Sequence, residues 1–339
     1  MEFHRHHNFD EIGRDEWNGL VSRSSTNVPF LQFGYLKNWW QFRGGGEWPQ
    51  EAKLEIISAR DETGLIGIAP LFRSLYNGEE TLLLIGSIEI SDYLDFIAPA
   101  VYMDDFLSGL FSFLQAELPQ IGKMILVNIP QESPSVASLK KLAEKFSWSI
   151  QIENAYHTPV ISLAADWETY LMGIDKKQRH EIRRKLRGAS QQADIINWYF
   201  VTEKEKLTSE FEDFLDMMAQ NPSKKEFLEG EMRSQLCALA QWAFDQDMLE
   251  LSFLTINGQK ASAYLCFDYE GRIYVYNSGY DINFASFSPG WVHLSYLIRD
   301  AIEKQKTHFD FMRGDEAYKY RFGAVDGFVM KAVLTRETA

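Results

Sequence analysis

The sequence predicts an α/β (α+β) protein built as two tandem domains of one ancestry, each a mixed, mostly antiparallel sheet flanked by helices. Three observations predict it. A chain of 339 residues is about twice the roughly 150 expected of one domain. A hairpin–strand–helix–strand order occurs twice along the chain. The composition, 45% hydrophobic with modest Gly and Pro, supplies a core and excludes collagenous, disordered and disulfide-stapled chains.

In the first copy, Leu54-Glu55-Ile56-Ile57-Ser58 is apolar, Asp61-Glu62-Thr63-Gly64 turns, and Leu65 to Phe72 is apolar again, which is a hairpin pattern. A strand over 81–86, a helix near 104–118 and a buried strand over 123–128 follow. In the second copy, Leu249 to Leu254, the Asn257-Gly258 turn and Ala261 to Phe267 form the hairpin. It is followed by a strand over 272–278, a helix near 289–304 and a strand over 308–311. Each copy then runs on to one more strand, over 148–153 and 328–334. Between the copies, Asp166 reads as the cap of a helix whose apolar face holds Trp167, Tyr170, Leu171 and Ile174. The boundary therefore falls near 160, dividing the chain into residues 1–160 and 161–339.

Charge and motifs narrow the function. The net charge of −14 argues against whole-surface binding to DNA or anionic lipid. No apolar leader follows Met1, and the longest stretch free of charged side chains, 282–298, is broken by Ser288-Pro289-Gly290. A cytoplasmic protein without membrane insertion is expected, and the two cysteines, Cys237 and Cys266, fit a reducing compartment. His4, His6 and His7 read as a solvated tail. No histidine or cysteine spacing suits a metal, and Walker, dinucleotide and Gly-x-Ser-x-Gly motifs are missing.

The run from Lys176 to Arg187 carries seven cations and one anion in this acidic chain. It is either an anion site, with Arg179 and Arg183 as candidates, or a solvated helix face. The densest chemistry lies between 274 and 322. Tyr274 to Asp281 ends a strand in a polar, Gly-bearing exit, and Ser288-Pro289-Gly290 opens a helix with Ser288 as N-cap. Free N–H groups at such a start can cradle a phosphate or an oxyanion, or the motif is only a cap. The strand ending at Phe311 leads straight into Arg313, Gly314, Asp315, Glu316, Tyr318 and Lys319, where open α/β sheets place ligand clefts. Ser91-Asp92-Tyr93-Leu94-Asp95 holds the corresponding place in the first copy, and either lines a ligand groove or simply ends a strand.

These residues together resemble the tandem-GNAT acyltransferases of the CelD type, related to the Fem peptidoglycan aminoacyltransferases. The likeness spans nearly the whole chain. It rests on Pro29-Phe30-Leu31, Trp39-Trp40, Gly67-Ile68-Ala69-Pro70-Leu71, Asp92 to Phe96, Lys177 to Lys185, Gly279-Tyr280-Asp281, Ser288-Pro289-Gly290 and Asp310 to Lys319.

The resemblance implies two GNAT-like domains. The first is structural or acceptor-side, and the second transfers an acetyl or acyl group from acetyl-CoA or another acyl-CoA. The acceptor would be an amine or hydroxyl of a cell-envelope sugar, a polysaccharide precursor or a similar small molecule. It implies that the thioester lies where the strands over 272–278 and 308–311 splay, near Tyr276 and Ser278. The pyrophosphate would meet Ser288, Pro289 and Gly290, which stand where the usual Arg/Gln-x-x-Gly-x-Gly loop would be. Acyl transfer needs a base, for which Asp315 or Glu316 is the candidate, and an acid, Tyr318 or Tyr280. Arg313 and Lys319 would stabilise charge. Asp92, Tyr93, Asp95 and Asp281, with Arg179 and Arg183, are the acceptor-side candidates. No metal is implied. The alternatives are a Fem-like transferase using aminoacyl-tRNA, the one reading with an RNA partner, and a non-catalytic GNAT pair that scaffolds an envelope polysaccharide system.

Overall fold

The computed structural model describes residues 1–47, 51–76, 78–193 and 195–336. The chain divides into two compact units, Met1–His157 with Phe328–Ala339, and Thr158–Gly327.

The first unit opens with β1 (Glu2–His6), α1 (Arg14–Val21) and α2 (Phe33–Arg43), followed by β2 (Lys53–Leu54), β3 (Ile56–Asp61), β4 (Gly64–Ala69), β5 (Leu71–Tyr76) and β6 (Glu79–Leu84). Then come α3 (Met103–Glu117), β7 (Lys123–Pro130), α4 (Pro134–Lys145) and β8 (Trp148–His157). β3 and β4 form the expected hairpin, with Asp61 bonding the Thr63 N–H in its turn. Pro70 has no N–H to offer a ladder, and the chain breaks there between β4 and β5. β1, β3 and β4 make one sheet, and β6 runs parallel to β7 in another, with α3 as the crossover. β1 pairs with β3, and the imidazole of His6 meets Ser58 Oγ at 2.8 Å, so the N-terminal histidines lie on a sheet edge and not on a solvated tail.

The second unit contains β9 (Val160–Ser162), α5 (Trp167–Gly173), α6 (Lys176–Gln192), β10 (Ile196–Phe200), α7 (Lys204–Met218), α8 (Pro222–Phe227) and α9 (Met232–Asp245). It continues with β11 (Leu249–Ile256), β12 (Gln259–Tyr269), β13 (Arg272–Tyr280), α10 (Pro289–Glu303), β14 (His308–Asp310) and α11 (Ala317–Arg321). Its sheet runs β10-β11-β12-β13-β14-β9, antiparallel except for the β13–β14 pair, which α10 connects. Asp166 caps α5 through the Thr169 N–H at 2.9 Å. The apolar faces of α5, α6 and α10 meet the sheet around Ile182, Ile298, Phe309 and Phe322.

The C-terminus differs from the sequence reading. The last strand, β15 (Phe328–Arg336), does not close the second unit but lies between β7 and β8 of the first, antiparallel to both. Alternation of apolar residues predicts a strand there, yet says nothing about which sheet receives it. Among the described residues, no helix is long and apolar enough to cross a membrane.

Candidate active site

The site of the second unit begins where two parallel strands part. β13 and β14 pair only through Arg272–His308, Ile273–Phe309 and Tyr274–Asp310. On the other side of β13, Leu265 faces Asn277 while Cys266 faces Val275, so Tyr276 is the extra residue of a β-bulge. A bulge sharpens local twist, and here it falls where the strands separate. β13 then runs on to Tyr280 beyond the end of its ladder with β14. Tyr276 stands half-buried, edge-on to Phe267 at 5.3 Å.

Beyond β14 the chain turns sharply. Asp310 is fully buried; its Oδ1 accepts the Met312 N–H at 2.7 Å and its Oδ2 meets Arg272 at 3.1 Å. That bond holds Met312 at φ +55°, and Gly314 follows at φ +114°. Lys319, only 3% exposed, donates from Nζ to the carbonyls of Arg313 at 2.8 Å and Gly314 at 3.1 Å, and lies 3.5 Å from that of Met312. Its ion pair with Glu316, at 2.9 Å, folds that carboxylate back over the turn. The φ of +114° makes residue 314 a glycine position, and a Cβ there would stand 2.5 Å from Glu316 Oε2 and displace that carboxylate. Asp315 is exposed and Arg313 half-buried. Tyr318 is half-buried, edge-on to Phe311 at 5.9 Å, and burial with Glu316 nearby pushes its phenol upward, keeping it protonated. Tyr280 is exposed at the end of β13, and Asp281 caps the turn that follows through the Asn283 N–H.

The start of α10 is the second half of the site. Ser288 occupies the N-cap position but in the left-handed region, φ +51°, and its side chain does not cap the helix. Its hydroxyl accepts instead from Lys185 Nζ at 3.3 Å. Lys185 also lies 4.3 Å from the centre of the Trp291 ring, and burial lowers its ammonium from the usual range. Glu181, paired with Arg184 at 2.7 Å and 3.9 Å from Lys185, acts electrostatically on Lys185 together with Arg184 and Arg321, the cations outnumbering the one carboxylate. The positive end of the α10 dipole and this cationic group therefore converge. One turn further on, His293 is fully buried, with Nδ1 3.0 Å from Ser262 Oγ and, among the described residues, no partner for Nε2. Burial pushes its imidazole down to about 3.

That histidine has a measurable consequence. The unfolded chain takes up a proton near the ordinary 6.5, while the folded chain resists until about 3. Its contribution to stability is present above 6.5 and is lost as pH falls toward 3. Urea midpoints are expected to drop between about pH 7.5 and pH 4.5, and His293→Leu should flatten that drop.

Some expected residues lie elsewhere. Arg179 donates to the carbonyls of Leu171 and Met172 at 3.3 Å, and Arg183 pairs with Glu168 at 2.5 Å, so both brace α5. Lys185, the member of the basic run that reaches α10, sits three residues after the buried Ile182 and shares its face. In the first unit, Asp95 is fully buried and accepts from Thr26, Ser133, Ser135 and the Phe96 N–H. It is a structural carboxylate with no accessible oxygen, and the acceptor-side expectation for it fails. Tyr93 is buried against Phe30, and Asp92 is half-buried in the same loop. That loop fills the first unit's counterpart of the cleft: past the β6–β7 pairing, the Leu94 N–H bonds the Asn128 carbonyl at 2.9 Å.

One functional candidate was missed. Lys224 of α8 donates to the Ser278 carbonyl at 2.5 Å and to Asn277 Oδ1 at 2.9 Å, both on the freed part of β13. Nothing near Lys224 in the chain signals this. The nearest clue is Gly279, where a Cβ would stand 2.8 Å from the Met218 N and 2.9 Å from the Met217 carbonyl carbon.

The chain holds two GNAT-like units in tandem, each with a parallel strand pair joined by a helix, β6–α3–β7 and β13–α10–β14, and in the second the strands part at the β13 bulge. Residues 176–320 match the family described as an acetyltransferase (GNAT) domain. A conserved protein of unknown function from Bacteroides thetaiotaomicron superposes with a TM-score of 0.62 at 12% identity, over 98% of this chain and 100% of that one. FemX gives 0.54 at 10% identity, over 98% and 97% of the two chains. The C-terminal domain of a putative lysylphosphatidylglycerol synthetase from Agrobacterium fabrum gives 0.55 at 10%, over 93% and 92%. At such identities the likeness is one of fold. No curated protein matches this chain in sequence.

Proposed function

We propose that the second unit is an acyltransferase of the CelD type that takes an acetyl or acyl group from acyl-CoA. The acceptor is an amine or hydroxyl of a cell-envelope sugar, a polysaccharide precursor or a similar small molecule. The observation that carries this reading is the meeting of Lys185 with the start of α10, the helix that connects the briefly paired β13 and β14. An anionic, extended donor suits that arrangement: its pyrophosphate at Ser288, Pro289 and Gly290, and its reactive end along Tyr276 and Ser278. The first unit, whose corresponding opening is filled by its own loop, serves structure or the acceptor side. Two free cysteines fit a cytoplasmic place.

Each group in the site then has a task. Glu316, tethered by Lys319, accepts the proton of the attacking acceptor, with Asp315 as the exposed alternative. Backbone N–H groups on the freed edge of β13 hold the oxyanion, with Arg313 adding charge. Tyr318, kept protonated by burial, returns a proton to the leaving thiolate, with Tyr280 as the alternative donor. Lys319 contributes by holding the turn in shape. Asp281 lies on the acceptor side.

Calorimetric titration of acetyl-CoA tests the donor. A micromolar Kd, roughly −8 kcal/mol, is expected for the natural chain. Gly290→Ala should bind equally well, because its new Cβ meets only Tyr264 Oη, at 3.9 Å. Gly290→Glu puts a carboxylate against the helix start and should abolish binding. If neither acetyl-CoA nor a longer acyl-CoA binds the natural chain, the donor assignment is wrong. The fold likeness to FemX and the basic run of α6 would then favour aminoacyl-tRNA as donor, ahead of a non-catalytic scaffold.

A further inference from the structure

Among the described residues, the amine of Lys224 stands against the freed stretch of β13. We infer that Lys224 is an internal acyl acceptor, a self-acylation site that takes the acyl group from a bound thioester when no other acceptor is present. The inference rests on the acyl-CoA reading above.

Three features of the geometry support it. Asn277 and Ser278 follow the last β13–β14 pair, Tyr274–Asp310, so Lys224 lies against the part of the strand that the reading assigns to the thioester. The two contacts of Nζ are both acceptors, the Ser278 carbonyl and Asn277 Oδ1. A neutral amine has two hydrogens, and these two acceptors can take both, so neither contact occupies its lone pair. Finally, α7 approaches β13 at backbone distance over Gly279, and α8 follows directly, so the position of the lysine is set by main chain rather than by a swinging loop.

The environment makes the amine available. Burial pushes Lys224 down to about 8, against the partial opposition of Glu316. Relative to an ordinary lysine near 10.4, its neutral fraction at neutral pH is larger by a factor on the order of 100. Lower basicity takes back part of that gain in nucleophilicity. The step balances without a further reactant. The Nζ lone pair forms the N–C bond, the C–S bond breaks, the amine's surplus proton passes to the Glu316 carboxylate, and the thiolate leaves and takes a proton from water. The product is an amide on Lys224 and free CoA.

The test is peptide mass mapping of the full chain incubated with acetyl-CoA alone. Lys224 is expected to gain one acetyl group at least about tenfold faster than exposed Lys140 and Lys225, given its larger neutral fraction. The gain should saturate with acetyl-CoA, persist in Gly188→Ala, whose new Cβ meets nothing within 4 Å, and vanish in Gly290→Glu. If acetyl-CoA binds by calorimetry but Lys224 is labelled no faster than those two, self-acylation is overturned and the donor reading stands. If acetyl-CoA neither binds nor labels, both fall together.

Discussion

Lys319→Met is expected to unfold the second unit at a distinctly lower temperature and to abolish acyl transfer. The buried ammonium holds the carbonyls of Arg313 and Gly314 by hydrogen bonds and anchors Glu316. Methionine fills the volume but offers no donor, so two carbonyls beside the site lose their partner. Stranding buried acceptors costs about 1–3 kcal/mol each, of which water at this half-buried turn returns a part, giving a net loss of about 2–4 kcal/mol. For a unit of this size that is a drop of roughly 5–12 °C in Tm, read by calorimetry. The loss of turnover should be larger than the loss of stability implies, because Glu316 loses its anchor. A variant with the natural Tm and turnover would show that the turn holds its shape without the lysine.

The case of Lys319 shows why its role was not legible. Its position after a strand end, among Asp315 and Glu316, pointed correctly to an ionic cluster. Whether a lysine in such a cluster faces a ligand or its own carbonyls depends on the turn geometry, here the left-handed Met312 and Gly314. The same distinction separates Asp281 from Asp95. Asp281 directly follows Tyr280 and Asp95 comes two residues after Tyr93, but four donors from Thr26, Ser133, Ser135 and Phe96 close around Asp95, and three of them are far away in sequence. Local periodicity did locate β13, α10 and β14 and the Asp166 cap, because those depend on neighbours in the chain. It could not choose Lys185 over Arg179 and Arg183, since all three lie on one cationic helix and only the packing of α6 against α10 sorts them. Nor could it send β15 to the first unit, because an isolated strand pattern carries no partner.

Gly279→Ala is the sharper test of how the cleft is built, because it adds one methyl group and changes no charge. Residue 279 pairs with Ala263 within the sheet, so alanine suits the strand itself. The obstacle is the main chain of α7: the new Cβ would stand 2.8 Å from the Met218 N and 2.9 Å from the Met217 carbonyl carbon. Backbone cannot swing aside as a side-chain end can, so α7 and the α8 that follows must move outward together. Overpacking of this kind costs about 1–3 kcal/mol. The functional loss is expected to be greater, since a shift of about 1 Å in a reacting group can cost about 100-fold. Self-acylation of Lys224 should fall by more than about tenfold on the same ground, while acetyl-CoA still binds through Lys185 and the α10 start. Gly188→Ala in α6 provides the control: its Cβ would meet nothing within 4 Å, and alanine is favoured there by about 1 kcal/mol on helix propensity alone. If Gly279→Ala labels Lys224 at the natural rate, the approach of α7 does not set the lysine's position, and Lys224 must be held by Asn277 and Ser278 alone.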